Sequence, residues 1–136
     1  MPRPKTIPRG IRNNNPLNIR IGNVWLGEVE HPSDPSFEQF VTMQYGVRAA
    51  CVLLRRYIRH YKRTSIRSII AAWAPAYENN TEAYVDAVCR YLEISPDDII
   101  KYEDKDTICR LVQAMCQVEN GQPISDDIIS KGYDMA

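Results

Sequence analysis

The residue best suited to acid–base chemistry is Glu119, a carboxylic acid at the end of an apolar segment. The segment begins at Asp104 or Asp106 and is apolar around most of its circumference, which predicts a helix in the middle of a domain. Burial and the negative end of a helix both favour a protonated carboxyl group, so we expect Glu119 to keep its proton near neutral pH. Such a group can be the general acid that cleaves a glycosidic bond, although a glutamate in a last helical turn is often simply solvated. The stripe that places Glu119 on the inward face consists of Ile108, Leu111, Val112 and Met115.

Two segments, residues 13–25 and 73–84, combine aromatic and amide side chains as sugar-binding grooves do. Aromatic rings stack on the apolar faces of pyranoses, and amides pair with hydroxyl and acetamido groups. Helix capping and core packing account for about half of segment 73–84, and the same two interpretations apply to segment 13–25, so both remain open. The candidate substrate-binding residues are Asn15, Asn18, Trp25, Tyr77, Glu78, Asn79 and Tyr84.

The charge distribution divides the chain into two halves. Residues 1–74 carry twelve basic and four acidic side chains, whereas residues 75–136 carry five basic and thirteen acidic ones. Mutual attraction of the two halves explains this pattern, and a polyanion-binding face is the alternative. The four acids of the first half, each a candidate second carboxylate or part of a solvated acidic face, are Glu28, Glu30, Asp34 and Glu38.

The first 40 or so residues are rich in proline and glycine and predict a small, irregular β-element. We expect short extended pieces at Leu17–Ile21 and Val24–Leu26, joined by a two-residue turn at Gly22 and Asn23, and a third at Phe37–Val41.

From Tyr45 onward the apolar residues recur with helical spacing. Further helices are expected to start at Thr64 or Ser65, at Asn80 or Thr81, at Ser95 (a short one) and at Asp104 or Asp106. Asn120 and Gly121 should end the helix that starts at Asp104 or Asp106, and Pro75 should end the helix that starts at Thr64 or Ser65. A final turn is expected at residues 125–131. The predicted fold is therefore mainly α, of the α+β type, in a single domain.

Composition argues against several other classes of protein. No stretch approaches the ~18 apolar residues of a membrane-spanning helix, and the N-terminus lacks the apolar core of a secretory signal. We therefore expect synthesis in the cytoplasm. His31 and His60 stand apart from each other, so no metal site is expected. No organic cofactor is expected either. Four cysteines lie in predicted helices and should be core thiols: Cys51, Cys89, Cys109 and Cys116.

Nucleic-acid binding is one competing hypothesis, because a stripe of basic side chains runs along the first long helix. It is disfavoured, since the sequence contains no known recognition motif and its isoelectric point is about 6.7. The stripe and its continuation consist of Arg48, Arg55, Arg59, Lys62 and Arg63.

Residues 9–20, RGIRNNNPLNIR, followed by Trp25-Leu26-Gly27, resemble the opening of small phage and prophage proteins described as lysozyme-like virion structural proteins. Shorter matches are FEQF at 37–40, GVRA at 46–49, WAP at 73–75, ENNT at 78–81 with Tyr84, and VENG at 118–121. A more distant similarity is to the flagellar-type glucosaminidases that cut peptidoglycan. Those enzymes place a glutamate-ending helix before the asparagine-rich segment, whereas here it comes last, which suggests a circular permutation.

The resemblance implies a lysozyme-like domain over residues 1–136, with 1–8 as a flexible arm, that cleaves peptidoglycan. Glu119 would be the general acid, and Glu28 or Glu30 would stabilise the oxocarbenium ion or activate water. Without a second acid, lytic transglycosylation through the substrate's own hydroxyl is the other outcome. The protein would be associated with the virion or released to the cell wall. The competing hypothesis is a non-catalytic virion structural or cell-wall-binding module of the same fold.

Overall fold

A computed structural model describes residues 6–74 and 80–136, and over these ranges the fold is mainly helical. The expected arm is described only at residues 6–8, and its first five residues lie outside the described part, as does Pro75. No helix among the described residues is long and apolar enough to cross a membrane. The helices are α1 (Arg9–Arg12), α2 (Met43–Arg59), α3 (Ile66–Trp73), α4 (Thr81–Leu92), α5 (Lys105–Asn120) and α6 (Asp126–Met135).

Helix α5 lies at the centre of the molecule, as its sequence predicts. It packs against α1, α2, α4 and α6, and it is buried along most of its length. The largest side chains that it buries completely are Ile108, Leu111 and Met115. The position of Glu119 is therefore set by the core of the domain rather than by a surface loop.

Local capping groups fix the predicted helix boundaries. Ser65 and Ser68 form a capping box at the start of α3, and the side chains of Asn80 and Asp104 accept backbone N–H groups at the starts of α4 and α5. Gly121 ends α5 in the left-handed conformation that glycine adopts without strain. These boundaries were readable from the sequence and are confirmed.

The expected hairpin between Leu17–Ile21 and Val24–Leu26 is wrong. Among the described residues, the β-element consists of two isolated bridges, Arg20 with Phe37 and Glu28 with Phe40. Segment 17–21 pairs with the third extended piece instead, because Ile21 N–H donates to Ser36 and Glu38 N–H donates to Ile19. Val24 is 95% and Leu26 59% exposed, so the expected second strand contributes only Trp25 to the core.

Three other predictions also need correction. Ser95–Asp98 forms a turn rather than a short helix, because the chain leaves it extended and Ile100 N–H donates to Thr64. Helix α6 runs to Met135, beyond the single turn expected, and packs along α2 and α5. The short helix α1 falls in a region expected to be irregular. The four cysteines are free thiols within helices, as predicted.

Candidate functional site

Glu119 lines a groove of about 360 Å³ on the surface of the domain. The carboxylate is half-buried at the end of α5, less enclosed than its position on the inward stripe predicted. Trp73, at the end of α3, lines the same groove. The other lining residues used below are Asn18, Arg20, Phe37 and Tyr57.

A hydrogen bond from Asn18 orients the Glu119 carboxylate. The Asn18 amide Nδ2 donates to Glu119 Oε1 over 2.9 Å, across 101 positions of the sequence. Asn18 has a φ of 53°, in the left-handed region that asparagine tolerates better than most residues. Asn18 can therefore both adopt the left-handed backbone conformation and donate a hydrogen bond to the Glu119 carboxylate.

The asparagine-rich segment is built as a scaffold behind Asn18. Asn15 is fully buried, and its amide donates to the carbonyl groups of Ile19 and Glu38, while its Oδ1 accepts from Ile19 N–H. Asn120 ties the end of α5 to this turn by donating to the carbonyl of Pro16 over 2.8 Å. Asn15, predicted to bind substrate, shapes the turn in this structure and does not line the groove.

Tyr84 lies buried next to Glu119. Burial raises the pKa of its hydroxyl well above the usual value, and the nearby Glu119 carboxylate raises it further. The buried Asn18 Oδ1 has no hydrogen-bond partner among the described residues. Buried polar atoms without partners are uncommon, and each needs an explanation.

Trp25, another predicted sugar-contacting residue, belongs to the hydrophobic core and is 8% exposed. Its backbone N–H donates to the Glu28 carboxylate over 3.0 Å. The structure therefore brings Asn18 and Glu119 together in the groove, with Tyr84 beside them, and leaves Asn15 and Trp25 in structural positions. The predictions for Tyr77, Glu78 and Asn79 fall outside the described residues.

The candidate second carboxylates occupy different environments. Glu30 is exposed beside His31, and Glu28 and Glu38 form a neighbouring pair. Burial and then Glu28 raise the pKa of Glu38 to about 7. The described lining of the groove includes none of these acids. The role of Glu28 or Glu30 as the second acid therefore stays a prediction.

Asp34 is a structural carboxylate. It accepts hydrogen bonds from the backbone N–H groups of Ser36 and Phe37 and from the Asn13 amide, and it lies 3.4 Å from Arg9. The Ser36 and Asn13 hydrogen bonds lower its pKa to about 2. A carboxylate held ionised in this way stabilises the loop and is not available to donate a proton.

Sequence reasoning missed the groove residues Arg20, Phe37 and Tyr57. The Arg20 guanidinium lies 4.8 Å from the centre of the Phe37 ring. Tyr57 packs edge-to-face on Trp73, with ring centres 5.6 Å apart. The RGIRNNNPLNIR and FEQF matches contain Arg20 and Phe37 but did not show that they line a groove, whereas nothing in the helical pattern of α2 singled out Tyr57. No group of three or more residues within the described ranges could hold a metal ion.

Comparison with known proteins gives one informative relative. The chain is 42% identical over 131 residues to "Protein P5" of Pseudoalteromonas phage PM2, covering 93% of this chain and 80% of that protein. The chain belongs to the family of that phage protein. No model of a known protein family matches the sequence. Membership of this family connects the chain to phages.

Proposed function

We propose that this protein is a lysozyme-like enzyme that cleaves peptidoglycan glycan strands, with Glu119 as the general acid. The observation that carries the proposal is a single arrangement: a central helix delivers a carboxyl group, held by Asn18, into a groove with aromatic walls. Glycosidases use a positioned carboxylic acid to protonate the bridging oxygen, and aromatic side chains bind the sugar rings.

Protonation of the leaving group follows from the geometry around Glu119. The Asn18 amide occupies Oε1, so the proton belongs on Oε2, from which it passes to the bridging oxygen as the C–O bond breaks. The Glu119 carboxylate raises the pKa of the buried Tyr84 hydroxyl, and this hydroxyl would stabilise the negative charge left on Glu119. The electron pair of the broken bond stays with the leaving sugar, and positive charge develops on the other ring as an oxocarbenium ion.

Two routes complete the reaction in this proposal. In hydrolysis, water attacks the oxocarbenium ion, and Glu28 or Glu30 supplies the second carboxylate. In lytic transglycosylation, a hydroxyl group of the substrate attacks, and Glu119 takes back a proton. Product masses distinguish the routes, because only hydrolysis adds a water molecule to the cleaved strand.

The contacts of α5 support the proposed circular permutation of a lysozyme-like fold. The glutamate-ending helix is fifth in the chain, yet its end contacts the asparagine turn near the N-terminus through Asn120 and Pro16. The short α1 also packs against α5. This is the spatial relationship that the glucosaminidase-like order would produce with the helix placed first.

The decisive experiment compares muropeptide release from purified peptidoglycan by the parent protein and by Glu119→Gln. We expect the variant to lose release at an unchanged melting temperature, because glutamine preserves the shape of the side chain and accepts the Asn18 hydrogen bond. Glu93→Gln, at the exposed end of α4, is the matched control and should retain activity. Equal release by the parent and Glu119→Gln would falsify the assignment.

The second candidate function is a non-catalytic virion structural or cell-wall-binding module of the same fold. The relationship to a phage protein is consistent with it, since the name of that protein states no activity. It predicts that the parent protein releases nothing from the walls of several species but sediments with them. Association with the virion is compatible with either function.

A further inference from the structure

We infer that Trp73 is a positioning residue for the proposed general acid, and that it acts through the carbonyl group of Leu17 and the side chain of Asn18. The inference rests on the proposed function and extends it to the indole N–H, a group whose hydrogen bond is made inside the protein. The Trp73 ring forms part of the groove wall. The ring and the N–H of this residue therefore have separate roles.

A tight turn at residues 15–18 presents the Asn18 side chain to Glu119. The Asn18 N–H donates to the carbonyl of Asn15 over 3.1 Å, and Leu17 is fully buried within the turn. Asn18 has a φ of 53°, and from this conformation its amide reaches Glu119 Oε1 over 2.9 Å. The left-handed region is sparsely populated by residues other than glycine, so the surrounding contacts must hold Asn18 there.

Trp73 holds the peptide group that joins Leu17 to Asn18. The indole Nε1–H donates to the Leu17 carbonyl over 3.2 Å, across 56 positions of the sequence. The Leu17 carbonyl and the Asn18 N–H belong to one rigid peptide plane, so the hydrogen bonds to Trp73 and Asn15 fix that plane from both edges. Rotation of the plane would change the φ of Asn18 and move its amide away from the carboxylate.

The Trp73 side chain is itself fixed by its neighbours. Tyr57 packs edge-to-face on the indole ring, with ring centres 5.6 Å apart. Directly after α3, Thr81 Oγ1 donates to the carbonyl of Ala74 over 2.7 Å and ties the end of this helix to the start of α4. Packing and hydrogen bonds of this kind keep a reactive group within the narrow range of positions that a reaction requires.

A second hydrogen bond holds the same turn from a different helix. The Asn120 amide donates to the carbonyl of Pro16 over 2.8 Å, next to the carbonyl that Trp73 binds. Asn120 belongs to α5, the helix that carries Glu119, whereas Trp73 belongs to α3. Loss of the Trp73 bond should therefore change the orientation of the Asn18 side chain while the Asn120 bond still keeps the turn beside α5.

The test replaces Trp73 by benzothienylalanine, an amino acid of nearly the same ring shape in which a sulfur atom takes the place of the indole N–H. The chain contains one other tryptophan, Trp25, whose buried indole nitrogen has no hydrogen-bond partner among the described residues. The same replacement at Trp25 is the matched control, because it makes an identical chemical change without removing a bond of this kind.

The first measurement does not depend on activity. In the parent protein, the NMR signals of the Asn18 side-chain amide should shift with pH as Glu119 gains or loses its proton, and Glu119→Gln should abolish this shift. We expect the replacement at Trp73 to remove most of the shift and the replacement at Trp25 to preserve it. A shift of parental size in the Trp73 replacement overturns the inference.

Muropeptide release from soluble glycan strands provides the second measurement. We expect the Trp73 replacement to lower the maximal rate by about tenfold with little change in KM, because the ring remains in the groove while the acid loses its orientation. In the Asn18→Gly background the same replacement should have no further effect, since both changes act through one hydrogen bond. Additive losses would contradict the inference.

The two measurements separate this inference from the proposed function. If the parent protein releases no muropeptides, the proposed function fails, and the NMR comparison still decides whether Trp73 positions Asn18. If release is observed and the Asn18 signals are unaffected by the Trp73 replacement, the inference fails and the assignment of Glu119 stands.

Discussion

Asn18 combines two properties that are usually separate, a left-handed backbone and a hydrogen bond to the proposed general acid. The backbone requires a residue that tolerates positive φ, and the Glu119 carboxylate requires a donor. Asparagine meets both requirements, glycine meets only the first, and alanine meets neither.

Replacement of Asn18 therefore gives a prediction that separates orientation from folding. We expect both Asn18→Gly and Asn18→Ala to reduce muropeptide release by about 10- to 100-fold, because the acid loses its orienting donor. Asn18→Ala should also be less stable than Asn18→Gly by about 1 kcal/mol, since only alanine is strained at this φ. Rates and denaturant unfolding of the two variants provide the measurement. Retained activity in Asn18→Gly would show that the hydrogen bond does not matter to catalysis.

Glu38 predicts a pH dependence of stability. Its carboxyl group has a pKa of about 7 in the folded protein and 4.5 when unperturbed, because of burial and then the proximity of Glu28. Between these two values the folded state binds more protons than the unfolded chain, so stability falls as pH rises from about 4.5 to about 7. The contribution is at most about 3 kcal/mol.

Unfolding of the parent and Glu38→Gln at a series of pH values tests this contribution. We expect the stability difference between the two proteins to shift steadily in favour of the variant across the window and to level off above it. Glu30→Gln, at an exposed position, should keep the slope of the parent. A slope unchanged in Glu38→Gln would assign the titration to another group.

At the scale of elements, the start of α2 packs against the asparagine turn without room for a side chain. A Cβ atom at Gly46 would collide with the carbonyl oxygen of Asn14 and press on Pro16. This close approach fixes where α2 lies relative to the turn that carries Asn18. The helix and the asparagine turn are therefore coupled by backbone contact.

We expect Gly46→Ala to destabilise the protein by about 2 kcal/mol or more, despite the higher helix propensity of alanine, because the backbone must move apart. Gly22→Ala is the matched control, since nothing lies within 4 Å of its added Cβ, and its stability should change by less than about 0.5 kcal/mol. Thermal unfolding of the two variants measures the contrast. Equal melting temperatures would mean that the turn yields without cost.

At the scale of the whole molecule, the basic first half and the acidic second half attract each other. Ion pairs join them at Arg59 with Glu103 and at Arg67 with Glu82 and Asp97. Of the basic stripe that suggested nucleic-acid binding, Arg59 takes part in these pairs, and Arg55 lies over the Tyr102 ring. Part of the lopsided charge distribution is thus used inside the fold.

Salt should therefore weaken the protein modestly. Raising NaCl from about 0.1 M to about 1 M is expected to lower the free energy of unfolding by about 1–2 kcal/mol, because the pairs are exposed and individually weak. Urea unfolding at the two salt concentrations measures this change. The double variant Arg59→Gln with Arg67→Gln should show a smaller dependence on salt. Stability that rises with salt would indicate net repulsion between the halves instead.

The limits of prediction from sequence follow the range of the interactions involved. Ser65, Asn80, Asp104 and Gly121 mark helix ends because each acts on backbone groups a few residues away, and these boundaries were predicted correctly. Segment 17–26 was assigned the wrong partner, because its own pattern did not reveal that residues 36–40 would take its hydrogen bonds.

By itself, the sequence determined that the protein is mainly helical, that a central apolar helix ends at Glu119, and that its cysteines belong to helices. Only the tertiary structure decided that this glutamate meets Asn18, that Asn15 and Trp25 turn inward, and that Tyr57 lines the same groove. The physical reason is that helical periodicity and capping act over a few residues, whereas the groove is closed by contacts between residues about 100 positions apart.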